Sequence, residues 1–185
     1  MIQGYEQCEG IDYKETFASV TMLKTIWVLL ALATLYDWEI NHIDVKTAFL
    51  NPLLNKIIYI TQPEGFEFGD HVCHLRKAFY DLKQAPRAWY QDIDKFLKTL
   101  GFTSSTSDPN LYISQDIILI LYVDNMLITV KNRIALMKFK EQMTRKYEMT
   151  DLGKAQQFLG LQIQRNREAK TLFIHQSQYI ENILT

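Results

Sequence analysis

Two aspartates stand where apolar runs end. Asp124 sits between Ile117-Ile-Leu-Ile-Leu-Tyr-Val123 and Asn125-Met-Leu-Ile-Thr-Val130. Apolar runs rich in Ile, Leu and Val, split by a short polar break, read as the two strands of a β-hairpin, here with Val123-Asp124-Asn125 as the turn. Asp44 closes a second segment of the same kind, Asn41-His-Ile-Asp44, 80 positions upstream. A carboxylate on a rigid strand end needs a partner, and a metal ion is the usual one. Two such acids meeting on adjacent strands would build a two-metal phosphoryl-transfer site.

The elements that must position them are legible. Residues 22–36 read as a buried core helix and Trp38–Val45 as a strand. Ile57–Ile60 and Val72–Leu75 read as short strands, with a turn at Gln62-Pro-Glu-Gly-Phe66. Residues 86–100 form an amphipathic helix started by Pro86 and stopped by Gly101, with Trp89, Ile93, Phe96, Leu97 and Leu100 on its apolar face. The strand Leu111–Ile113 and the hairpin 117–130 follow. A helix over 133–147 turns Ile134, Met137, Phe139 and Met143 inward. A hairpin over 158–164 and 171–174 and a helix over 176–184 complete the chain. Residues 1–20 are polar and irregular. Interleaved helices and antiparallel strands predict an α+β fold, specifically a split βαβ arrangement with helices on one face of the sheet.

The 185 residues allow one domain, and 48% hydrophobic residues suffice for a core. A net charge of −1 gives no global attraction to nucleic acid, so any basic surface is local. Cys8 and Cys73 lack metal-ligand spacing and read as ordinary thiols. Thr25–Tyr36 is too short to span a membrane, and no secretory leader is apparent. His42, His71, His74 and His175 lack metal spacing and are read as ordinary. The chain closes at Thr185 inside an expected helix, which reads as a piece of a longer polypeptide.

Several motifs then stand in one order. They are Asp12-Tyr-Lys-Glu-Thr-Phe-Ala18, Ile43-Asp-Val-Lys-Thr-Ala-Phe-Leu50, Gln62-Pro-Glu-Gly-Phe66, Leu82-Lys-Gln-Ala-Pro-Arg87, Ser107-Asp-Pro-Asn-Leu-Tyr112, Leu121-Tyr-Val-Asp-Asn125, and Met149-Thr-Asp-Leu-Gly153 with Phe158-Leu-Gly160. The ordered set resembles the copia-type retrotransposon reverse transcriptase along nearly the whole chain. The resemblance implies one reverse transcriptase domain. Its partial fingers would lie at about 1–36 and 50–85, its palm at about 37–49 and 86–165, and a terminal hairpin and helix at 158–185. It implies RNA-directed DNA synthesis with magnesium, or alternatively manganese. The implied partners are an RNA template, a DNA primer, deoxynucleotide triphosphates and flanking integrase and ribonuclease H regions, with no membrane. Cytoplasmic virus-like particles with a nuclear role are the implied location.

Residue by residue, the resemblance makes Asp44 and Asp124 catalytic metal ligands, with the carbonyl of Val45 facing a metal and Asn125 completing the catalytic box. Phe49 matches the gate beneath the incoming sugar. Tyr80, Asp81, Lys83 and Gln84 fall in the segment beside the nucleotide. Tyr122, Val123 and Arg87 fall to primer and template, as does the hairpin Phe158, Leu159, Gly160. Three departures predict impairment. Asn125 replaces the second aspartate of the family's Tyr-Val-Asp-Asp box. Asp81 replaces a glycine that permits positive φ, though Asp tolerates such angles better than most. The cationic fingers strand expected before Gly4-Tyr5 is absent from the sequence.

Overall fold

A computed structural model describes residues 4–184; Met1–Gln3, the start of the expected irregular segment, and Thr185 lie outside the described residues. In chain order the elements are α1 (Leu23–Leu35), β1 (Glu39–Val45), β2 (Leu53–Ile60), β3 (Cys73–Lys77), α2 (Ala85–Thr99), β4 (Thr103–Ser104), β5 (Leu111–Ile113), β6 (Ile117–Tyr122), β7 (Asn125–Val130), α3 (Arg133–Thr144), β8 (Met149–Lys154), β9 (Gln157–Phe158), β10 (Leu161–Asn166), β11 (Thr171–His175) and α4 (Ser177–Leu184). They form two compact units, Met1–Ser19 with Thr47–Leu100 and Val20–Lys46 with Gly101–Thr185.

The second unit is built on a six-stranded sheet in the order β4-β5-β6-β7-β1-β8, antiparallel at every pairing. Successive strand residues point to opposite faces, and both faces are covered. Ile40, Ile120 and Leu127 share a buried cluster with Ile26, Leu29, Leu30 and Ala33 of α1. Residues of the opposite parity, among them Ile43, Val45, Leu119, Leu121, Met126 and Ile128, are equally buried. Burial on both faces explains why the hairpin reads as continuous apolar runs rather than alternation. It also corrects the expectation of cover on one face only.

The buried residues of α1 follow the helical spacing 26, 29, 30, 33. The helix is not enclosed as expected: Leu23, Trp27, Val28 and Leu35 on its other side are at least half exposed. Met22, which precedes its first residue at the N-cap position, offers no side-chain cap. Asp108 caps it from elsewhere in the sequence. Asp108 Oδ2 accepts from Thr21 Oγ1 at 2.9 Å, from the Met22 amide at 3.0 Å and from Thr25 Oγ1 at 2.6 Å. Its Oδ1 accepts from the Asn110 amide at 3.1 Å. At the other end of α1, Arg165 of β10 donates to the carbonyls of Ala33 and Trp38 and to Asp37. This joins the small β9-β10-β11 sheet to the helix.

α3 buries Leu136, Phe139 and Met143, with Phe139 edge-on to Phe102 at 5.4 Å between ring centroids. The expected inward residues Ile134 and Met137 are instead exposed. At 100° per residue, 136, 139 and 143 make one stripe, and 134 falls 200° away from its first member. The strand β8 is a further correction, since its segment shows neither alternation nor an apolar run. Cover is unnecessary there: β8 is an edge strand, half of it exposed and none of it buried.

In the first unit, β2 and β3 pair antiparallel, with β2 starting at Leu53 rather than at the expected Ile57. Ile58, Ala78, Leu82 and Ala85 form a small core, with Phe49, Leu54, Ile60, Leu75 and Ala88 packed against it. α2 begins as expected around Pro86 and buries Ala85, Trp89, Ile93 and Leu97. Asp81 has φ of 71°, the left-handed conformation that a glycine would adopt freely.

Gly4 packs so tightly on this loop that a Cβ would stand 1.6 Å from the Asp81 carbonyl oxygen. Backbone cannot yield there as a flexible side chain can. Gly4→Ala is therefore expected to cost about 1–3 kcal/mol, the usual range for overpacking. It should also displace residues 4–7 from the 80–84 loop, read as faster proteolysis near the N-terminus at unchanged secondary structure.

Candidate active site

Asp44 and Asp124 meet because β1 and β7 are neighbours. Asp44 pairs with Asn125 in the ladder, and the Val45 amide donates to the Asp124 carbonyl at 2.8 Å. The β6–β7 hairpin is closed by the pair Tyr122–Asn125, leaving Val123 and Asp124 as a two-residue turn. Val123 has φ of 56° and Asp124 is not in the positive region. Positive φ at only the first central residue is the pattern of a type II′ turn, which glycine favours. A β-branched residue is strained there, at a cost of order 1–3 kcal/mol.

The site is half-buried. Burial pushes the Asp44 carboxyl up from its usual value, and the neighbouring charge of Asp124 pushes it further, with His42 opposing. Burial is the larger cause, and the like charge of Asp124 adds to it.

Asn125 is fully engaged. Its Nδ2 donates to Asp124 Oδ1 at 2.8 Å, and its Oδ1 lies 2.8 Å from His42 Nε2. The side-chain oxygens left for a cation are therefore those of two carboxylates, hard ligands of the kind magnesium and manganese accept. Among the described residues no group of three or more His, Cys, Asp or Glu side chains is arranged to hold a metal. Asp44 and Asp124 are the two acids at this junction, and the amide at 125 supplies no third.

His42 was not singled out by its sequence surroundings, yet it contacts the site. The signal was present: His42 precedes Asp44 by two positions on a strand, so both point to the same face. The β1–β8 register also shifts between His42 and Ile43, a bulge beside the acids.

Phe158, Leu159 and Gly160 do form a hairpin. Phe158 pairs with Leu161, and the intervening Leu159 and Gly160 have φ of 50° and 77°. The Phe158 ring itself is core, buried and edge-on to His42, so only the turn residues are exposed.

The other expected residues lie in the first unit. The Phe49 ring is half-buried, packed on the Ile58–Leu82 cluster and edge-on to Tyr80 at 5.4 Å between centroids. Lys83 Nζ donates to the Gln7 carbonyl at 3.2 Å and lies over the Tyr13 ring. Arg87 pairs with Glu15 at 2.5 Å and donates to the Phe17 carbonyl at 3.0 Å. Both cations thus have internal partners. Gln84 lines a cavity of about 310 Å³ with Tyr13, Glu15, Leu54, Lys56 and Arg87, and both its amide atoms are buried without a hydrogen-bond partner.

The family described as reverse transcriptase (RNA-dependent DNA polymerase) matches residues 1–185. The chain is 43% identical over 192 residues to the retrovirus-related Pol polyprotein from transposon TNT 1-94 of Nicotiana tabacum, covering 100% of this chain and 14% of that polyprotein. It is 37% identical over 189 residues to the Pol polyprotein from transposon RE1 of Arabidopsis thaliana, covering 98% of this chain and 13% of the relative. The putative transposon Ty5-1 protein YCL074W of Saccharomyces cerevisiae is 37% identical over 130 residues, which is 66% of this chain and 42% of that protein. The chain therefore spans about one seventh of the length of the plant polyproteins it matches. No solved structure matches it. With its motifs in order and its full length matched, the chain belongs to the reverse transcriptase (RNA-dependent DNA polymerase) family, as a reverse transcriptase region like those of retrotransposon Pol polyproteins.

Proposed function

We propose that the chain is the copia-type palm and partial fingers of an RNA-directed DNA polymerase, with activity weakened by Asn125. The observation that carries this reading is the convergence of Asp44 and Asp124 at the junction of β1 and the β6–β7 turn. The strand order β6-β7-β1-β8, with α2 and α3 as the connections in sequence, supports the split βαβ palm.

Asp44 and Asp124 would hold a divalent cation, with the Val45 carbonyl assigned to the same ion by the resemblance. Such an ion, when bound, would supply electrostatic stabilisation to charge developing at the reacting phosphoryl group. The protein's part is rigid placement, since small displacements of a reacting group cost rate steeply. The paired strands and a two-residue turn provide that rigidity. Phe49, Tyr80, Asp81, Lys83 and Gln84 are assigned to the incoming deoxynucleotide, and Tyr122, Val123, Arg87, Leu159 and Gly160 to primer and template. Flanking integrase and ribonuclease H regions, and work in cytoplasmic particles with a nuclear product, belong to the same proposal.

The rival reading is a non-catalytic nucleic-acid-binding relic. The engaged amide of Asn125 and the lack of a three-acid group among the described residues favour it. Primer extension on an RNA template separates the two. Extension with magnesium or manganese above an Asp44→Ala control supports the polymerase; none supports the relic. Asn125→Asp, which restores the second acid of the box, is expected to raise extension by about a hundredfold or more, the scale of one electrostatic group.

A further inference from the structure

A chain of side chains leads away from the two acids. Asp124 as a carboxylate can only accept hydrogen bonds. The Asn125 amide must therefore present its NH₂ group to Asp124, 2.8 Å away, and its carbonyl oxygen to His42 Nε2, also at 2.8 Å. That oxygen likewise only accepts, so His42 carries its ring proton on Nε2. The imidazole is half-buried, and its ring is edge-on to the buried Phe158, with centroids 5.4 Å apart and planes at 82°. Packing thus fixes the ring, the ring fixes the amide, and the amide faces the acid.

We propose that His42 is a positioning residue that lowers the cation affinity of the acidic pair, by holding Asn125 as a donor to Asp124 and keeping its carbonyl oxygen out of the ligand set. The proposal rests on the reading of Asp44 and Asp124 as cation ligands. An asparagine oxygen is an acceptable ligand for magnesium or manganese. Here that oxygen is turned to a histidine, and the group facing Asp124 is an N–H donor that repels a cation. Releasing His42 lets the amide turn over and exchange donor for acceptor beside Asp124.

The test is a Mn²⁺ titration of the full chain at pH 8, followed by water-proton relaxation. His42→Leu keeps an apolar body against Phe158 and donates nothing. It is expected to tighten Mn²⁺ binding about fivefold, the scale of one net hydrogen bond. His42→Gln retains an N–H donor and is expected to stay near the wild-type affinity. In an Asn125→Leu background, His42→Leu is expected to change nothing. Unchanged or weaker binding by His42→Leu overturns the proposal.

Nitrogen-15 spectra of the ring supply a readout that needs no metal. The wild type is expected to show the Nε2–H form, and Asn125→Leu to lose that bias. A ring protonated on Nδ1 in the wild type also overturns the proposal. Absence of Mn²⁺ binding in every variant overturns the cation reading itself, and with it the role in affinity, while the ring spectra still report whether the lock exists.

Discussion

Primer extension by Asp44→Asn should fall by at least about a hundredfold, the scale of one charge-stabilising group, while the same variant becomes the more stable protein at neutral pH without divalent cations. The two halves of this result have one cause. Burial and the charge of Asp124 raise the Asp44 carboxyl above its unfolded value. The folded state then holds a proton that the unfolded chain releases at lower pH, so stability falls as pH rises from about 4 through the folded value. At neutral pH the full repulsion is present. Asparagine removes the charge at nearly the same shape and with it that pH dependence. Thermal unfolding of both proteins from pH 4 to pH 8 checks the stability half. The Asn125→Asp background, with its higher expected activity, gives the clearest measure of the kinetic half.

The second large effect lies at Asp108. Asp108→Ala is expected to cost about 2–4 kcal/mol, because it leaves a buried hydroxyl and a helix-terminal amide without an acceptor. Asp108 is only 2% exposed. Burial alone would raise its carboxyl, but hydrogen bonds from Thr25, Met22, Thr21 and Asn110 outweigh burial and hold it below the usual range. A depressed value gives stability that is present above about pH 4 and lost as pH falls through the folded value. Asp108→Asn should therefore abolish a low-pH unfolding component that Asp44→Asn leaves in place. Denaturant unfolding of the three proteins between pH 2 and pH 7 makes the comparison. The two aspartates have opposite signs because one faces donors and the other faces an acid.

Asp108 also shows how far the sequence reaches. Ser107-Asp-Pro-Asn was legible as part of a motif, but its service to α1 was not, since the cap crosses more than eighty positions of sequence. The hairpin 117–130 was legible because two long apolar runs leave little choice of structure. Its turn was narrower than expected: Asn125 belongs to β7, and Val123 takes the strained position. The left-handed backbone at Asp81 followed from the glycine that the family pattern places there. β8 was not legible, because an edge strand with exposed faces carries no hydrophobic period. Ile134 and Met137 were misplaced on α3 by choosing the wrong one of two overlapping helical stripes.

At the site, Asp44 and Asp124 could be found from chemistry and spacing. His42 could not be found from metal spacing, because it touches an amide rather than an ion. Lys83 and Arg87 were expected, from the resemblance, beside the nucleotide and at primer and template. Their partners, Gln7, Glu15 and Phe17, come from an N-terminal stretch with no local pattern of its own.

The central claim is that Asp44 and Asp124 share one cation. Electron paramagnetic resonance of Mn²⁺ bound to the wild type, Asp44→Asn and Asp124→Asn tests it most directly. A single ion bound by the wild type and lost in both variants is the expected result. Mn²⁺ held equally by all three proteins, or released by only one of the two substitutions, would contradict it.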